Sequence, residues 1–190
     1  MKKVLVIAAL LVAGFMSNQA VAQERMNVVK INPLSLALST FNVSYERAIS
    51  DSKALQLGLL YTGVSLGDTK YAGFGITPEL RIYLSQGEAL DSWHVSPFVR
   101  YQNVTISNET SWDGSTTSSK ATLNSLGIGA LVGHQWLLGS SDRISLDVFL
   151  GPSYSFSKIE FESDGDDVGE INGAFDGFGI RTGITFGIAF

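Results

Sequence analysis

Read at every second position, residues 177–190 separate into two lists. Phe178, Ile180, Thr182, Ile184, Phe186, Ile188 and Phe190 form one; Gly177, Gly179, Arg181, Gly183, Thr185, Gly187 and Ala189 form the other. Successive side chains of a β-strand point to opposite sides, so this stretch predicts a strand with a large apolar face and a small face carrying one arginine. Strands of soluble proteins commonly run about five to six residues, and this one is more than twice as long. Its length and pattern suit a barrel that wears its apolar face outside.

The alternation recurs through the chain and predicts eight strands, at residues 27–36, 41–49, 54–62, 72–84, 93–102, 123–137, 143–157 and 177–190. In the third, Leu55, Leu57, Leu59 and Tyr61 oppose Gln56, Gly58 and Thr62, with Leu60 out of phase. In the seventh, Ile144, Leu146, Val148 and Leu150 oppose Ser145, Asp147 and Gly151. The first strand loses its phase near Pro33, which lacks a ladder donor and suits a seam or bulge. Turns are expected at 50–52, 85–92 and 139–142, and longer polar loops at 65–70, 103–122 and 158–172; the first connection, near 37–40, is very short.

Two arguments turn the apolar face outward. An eight-stranded barrel is just wide enough inside to be filled by side chains, so the large lists would overfill it and the small ones fit. The small face also carries Glu46, Glu79, Arg81, Arg100, Asp147 and Arg181. A basic residue facing lipid near the midplane costs about 2–4 kcal/mol, whereas in the lumen these six can form a structural ion network. The expected fold is therefore all-β, an eight-stranded antiparallel up-and-down transmembrane β-barrel. With the N-terminus at the inner side, the short turns fall inside and the long polar segments outside, the asymmetry expected of bacterial outer-membrane barrels. Trp93, Trp136 and Phe190 then mark one rim, and Phe41, Tyr61, Phe74, Tyr101, Tyr154 and Phe178 the other.

The ends and the composition agree. Lys2 and Lys3 precede an apolar run, and Ala20-Val-Ala22 offers small residues at a cleavage site, so residues 1–22 read as a signal peptide and 23–190 as a single barrel domain. The apolar run is too short for a spanning helix. The chain has no cysteine, hence no disulfide, thiolate metal site or lipidated cysteine. Without Lys2 and Lys3 the net charge moves from −5 to about −7, which disfavours nucleic acid.

With these patterns in view, the chain resembles the small outer-membrane barrels of the OmpX and OmpA-transmembrane type. The most specific piece is Ile184, Phe186, Ile188 and Phe190, which looks like the signal read by the barrel-assembly machinery. Residues 30–36 and 42–47 also resemble the opening of a widespread family of uncharacterised small barrels. The resemblance implies a bacterial outer-membrane location with both termini periplasmic, and partners among outer-membrane lipids. No wall-binding domain is expected after Phe190.

Catalytic chemistry is sparse. His94 and His134 both fall near the inner ends of their strands, as interfacial residues do, and no third group completes a triad. Barrel enzymes that modify outer-membrane lipid place a histidine and a serine near the outer leaflet, unlike either histidine here. The acidic run Glu160, Glu162, Asp164, Asp166, Asp167 and Glu170 is dense enough for calcium, but its spacing differs from the EF-hand loop and a solvated loop is the plainer reading. The function expected is a structural or surface-interaction role through the outer loops, with a packed polar lumen, an unknown extracellular ligand and a monomeric state. No cofactor, metal or catalytic residue is expected. A lipid-modifying enzyme and a narrow pore are the alternatives, and a soluble lipocalin-like carrier is disfavoured by the volume argument.

Overall fold

A computed structural model of the chain describes residues 27–190 other than 38, 68, 86–88, 113–114, 164–165 and 174–175, and, within strands, side chains other than those of 66, 109–112, 115–117 and 166–168. The expected leader, 1–22, lies outside the described residues. Among these the strands are β1 Asn27–Ile31, β2 Thr40–Ser50, β3 Lys53–Leu66, β4 Thr69–Tyr83, β5 Trp93–Trp112, β6 Ser115–Leu138, β7 Ile144–Ser163, β8 Asp166–Asn172 and β9 Gly177–Ala189, with one short helix, α1, at Pro33–Ala37. Each strand from β1 to β7 pairs antiparallel with the next, and β9 pairs with both β7 and β1. Eight strands thus close into an up-and-down barrel, and β8 hangs as a hairpin partner on the extension of β7.

The register gives the barrel its shape. Partners followed once around run from Val28 through Glu46, Gln56, Glu79, Phe98, Gly129 and Ser153 to Gly179, yet Val28 pairs on its other side with Ala189. The ring therefore closes with a stagger of 189 − 179 = 10 residues. Ten residues of rise against eight strand spacings give a tilt of about 40° and a backbone diameter of about 16 Å. At that tilt the eleven residues of β2 climb roughly 28 Å along the axis.

The faces sort as the alternation requires. On β3, Leu55, Leu57, Leu59 and Tyr61 are exposed on the outer wall, while Ala54, Gln56 and Gly58 are buried inside. Phe178 is 88% exposed and Ile180 78%, so the wall carries an apolar belt that nothing among the described residues covers. Leu60 obeys the alternation after all: it points inward near the mouth. Pairs Phe41–Tyr61, Tyr61–Phe74 and Tyr154–Phe178 line the upper rim of the belt. At the lower rim His134 stacks on Trp136, with Trp93 edge-on to it.

Above the belt the pattern inverts. Beyond Tyr101, Leu126 and Phe156 the outer face becomes polar, with Asn103, Asn124 and Lys158, and the inner face becomes apolar, with Val104, Leu123 and Ile159. These residues belong to strands, which corrects the expectation of loops at 103–122 and 158–172: β5, β6, β7 and β8 continue past the barrel as a projecting sheet. Serine, threonine and asparagine are rich here because one face of that sheet is solvated, not because the backbone is irregular.

Two further expectations are corrected. The first strand stops at Ile31 rather than residue 36. Asn32 caps α1 by accepting hydrogen bonds from the amides of Leu34 (3.0 Å) and Ser35 (3.3 Å), and Pro33 starts the helix, where its missing N–H is harmless. The first connection is accordingly longer than expected. The segment 85–92 is more than a turn: its Leu90 is fully buried with φ 76°, packed with Val28, Ala48, Ala54, Tyr83 and Ala189 across the short-turn end. The amide of Ala89 donates to the Asp51 carbonyl (3.1 Å) and Asp91 accepts from the amide of Leu137 (3.0 Å), holding this plug in place.

Candidate functional site

The interior is layered from the closed end upward. Above the Leu90 plug lies an ion cluster built by β1, β2, β4, β5, β6 and β7. Lys30 from β1 contacts Glu46, Gln135 and Asp147. Arg81 on β4 donates to Asp147 Oδ2 (2.7 Å), Glu79 Oε1 (3.0 Å) and Gln135 Oε1 (3.0 Å). Tyr83 donates to Glu46 Oε1 at 2.6 Å. All these charged groups are fully enclosed, and such burial is tolerated because each carboxylate lies against at least one cation.

His94 is a correction. It is not an interfacial residue but a buried one, with Nδ1 2.7 Å from Ser96 Oγ and Nε2 3.2 Å from Asp147 Oδ1. Serine, histidine and aspartate in a chain suggest a catalytic relay, yet all three are wholly enclosed. A substrate reaches Ser96 only if the barrel opens, so the arrangement as it stands orients and satisfies the cluster. His134 does stand on the outer wall, between the two tryptophans.

The next layer is apolar. Phe98, Leu131 and Phe149 form a floor across the lumen, and Arg181 lies over both rings, 4.5 Å from the Phe98 centroid and 5.1 Å from that of Phe149, while donating to Glu79 Oε2 at 2.9 Å. The small residues of the inner face are seats for these side chains. A Cβ on Gly129 would lie 2.8 Å from the Phe98 ring, one on Gly183 2.5 Å from the Phe149 ring, and one on Gly133 2.6 Å from His94.

Over this floor the lumen opens. Arg100, Gln102, Ser125, Ser153 and Ser155 all face inward, yet each is partly accessible, whereas the inward residues below the floor are sealed. Arg100 donates from Nε to Thr77 Oγ1 (3.2 Å) and meets no carboxylate among the described residues, since both oxygens of Glu79 are taken by Arg81 and Arg181.

Of the six residues expected to form a lumenal network, Glu46, Glu79, Arg81 and Asp147 stand together and Arg181 joins through Glu79. Arg100 faces the same lumen without an ion pair. Lys30, Tyr83, His94 and Gln135 are members that sequence reading missed. Lys30 sits in a strand whose phase Pro33 obscures, although its two-residue spacing from Val28 was the available signal. Ile184, Phe186 and Ile188 are exposed on the outer wall, and Phe190 is tied to Asn27 by reciprocal backbone hydrogen bonds of 2.9 and 3.1 Å. In the acidic hairpin, Lys158 bridges Glu160 (3.0 Å) and Glu170 (2.8 Å), and Lys120 pairs with Glu162 (2.8 Å). The hydrogen bonds that the Lys158 ammonium donates to Glu170 and then Glu160 hold it above its ordinary pKa. Among the described residues no group of acidic or histidine side chains has the arrangement of a metal site; the side chains of Asp164, Asp166 and Asp167 lie outside that description.

No curated protein and no solved structure matches the chain. A family model described as "Protein of unknown function (DUF3575)" matches residues 5–174, a span that includes every strand from β1 to β8. The chain belongs to that DUF3575 family.

Proposed function

We propose that this barrel resides in the bacterial outer membrane, with the short turns and both termini in the periplasm, and acts at the cell surface through its projecting hairpins. The observation that carries the reading is the inversion of the two faces. An outer wall that is apolar over the belt and polar above it matches a bilayer below and water above, and a soluble barrel has no use for the belt. Closure removes every full-length sheet edge that lipid would leave unsatisfied except beside β1. The aromatic rims fit the two interfaces.

The Leu90 plug, the ion cluster and the aromatic floor lie in series, which supports a non-conducting, structural lumen. The exposed function then belongs to the β5–β6 hairpin and the β7–β8 hairpin, whose partner is an extracellular ligand or surface. Lipids and the barrel-assembly machinery are the partners of residence and biogenesis, and the barrel works as a monomer. Unheated protein should migrate faster than boiled protein on a denaturing gel and should partition with outer membranes. Recovery in the soluble periplasmic fraction would sink the proposal. Discrete conductance steps in a planar bilayer would replace the structural lumen by the pore reading.

A further inference from the structure

Three features of the open end converge on a ligand. The first is the charge balance of the lumen. Lys30, Arg81, Arg100 and Arg181 face Glu46, Glu79 and Asp147, and among the described residues the cation of this set without a carboxylate contact is Arg100, which is partly accessible in the cup. A half-buried guanidinium with one neutral hydrogen bond keeps most of its donors free for an anion, and its fork matches a carboxylate.

The second feature is directly above it. On the same inner face, Val104, Ile106, Ala121, Leu123, Ile159 and Phe161 form an apolar wall. At the upper end of this wall Ile106, Ala121 and Phe161, together with Asn108, Ser119, Lys120, Glu162 and Ser163, border a depression of about 350 Å³. Val104 and Ile106 lie four and six residues up the strand from Arg100, about 13 and 20 Å away. A charged point and an apolar wall in one line fit an amphiphile with a single long tail.

The third feature is a way in. β1 pairs only with Phe186–Ala189 of β9, although β7 accompanies β9 as far as Gly177. The Phe190 amide points to Asn27 and the Ala189 amide to Arg143. By alternation the backbone groups of Ile184, Thr182 and Ile180 face a gap in the wall where, among the described residues, no strand stands. Helix α1 touches both β2 and β9, the strands that flank this break in the ladder, with Leu34 and Leu36 exposed. The gap runs along the segment of β9 that carries Arg181. The route proposed for a molecule dissolved in the bilayer runs along this segment, past α1.

We infer that the cup binds a long-chain fatty carboxylate taken from the lipid phase, its carboxylate on Arg100 with Arg181 adjacent, and its chain along the apolar wall of β5, β6 and β7. The charge complementarity selects the anion, and the wall selects the chain. The inference goes beyond the surface role and draws on the bilayer setting only for the route of entry.

The test uses full-length protein in phosphatidylcholine nanodiscs, with insertion established separately by heat-modifiable migration, so that loss of the membrane reading and loss of this one are distinguishable. Radiolabelled palmitate should bind saturably at one site per barrel above its partition into empty discs. Arg100→Gln should weaken palmitate at least tenfold and leave hexadecanol unchanged. Ile106→Ser and Phe161→Ser, each checked for migration, should weaken both. Equal palmitate in loaded and empty discs overturns the site. So does an Arg100→Gln protein that binds as the parent does, and so does displacement of palmitate by acetate at equal concentration, which would make the site one for small anions.

Discussion

At the scale of single residues the barrel is held by a few enclosed charges and by the glycines that make room for rings. Removing one partner of a buried ion pair costs about 3–5 kcal/mol, because the charge left behind is neither paired nor hydrated. Arg81→Met should therefore lower the urea midpoint of the folded barrel strongly, since Glu79 and Asp147 both lose a donor. The double variant with Asp147→Leu should recover part of the loss; no recovery would mean that Arg81 acts by packing alone. Arg181→Leu should be milder, as it gives up one ion pair and two ring contacts at the floor. Gly183→Val places a branched side chain where the Phe149 ring lies, and overpacking of this kind costs about 1–3 kcal/mol; Phe149→Leu in the same chain should relieve it. The inward placement of the six charged residues was legible from period-two alternation alone. That Arg100 stands apart was not, because alternation assigns a face and says nothing of who occupies the next position around the ring.

At the scale of elements, strand identity followed from alternation wherever one face was apolar. It failed where both faces were of mixed character. In residues 103–107 the polar face is outside and the apolar face inside, so Val104 and Ile106 fell out of phase with a belt pattern and the stretch read as a loop. The same physics hid α1, whose five residues are too few for a helical period to show. The hairpins should accordingly be separable from the barrel. Replacing residues 107–120 by an Asn-Gly turn after Ile106 and before Ala121 should leave heat-modifiable migration intact and abolish surface interaction, read by binding of labelled protein to cells or matrix. A variant that no longer folds would show that the projecting sheet belongs to the barrel's stability. At the other end, deleting Phe190 removes the backbone pair with Asn27. Assembly into the membrane should slow, measured as the fraction of heat-modifiable protein after a pulse of synthesis.

At the scale of the whole molecule, the design is a cylinder with its solvent preference reversed and its bore sealed at one end. The count of eight strands and the sense of the two faces were readable because the belt imposes one pattern on every strand. The Leu90 plug and the stagger of ten residues were not, since both depend on which strand meets which across long sequence separations. Those separations also order events in time. Each neighbouring pair from β1 to β7 joins segments close in sequence, but the β1–β9 ladder joins residues on opposite ends of the chain, and among the described residues it is only four positions long, Val28–Ile31 against Phe186–Ala189. Contacts between distant segments form late, because loop closure must precede any reward. The seam is thus the last part of the cylinder to zip and the first to open. Amide exchange at Val29 and Ile188 should outpace that of the β3–β4 ladder, and a disulfide bridging the seam should slow unfolding far more than it speeds folding.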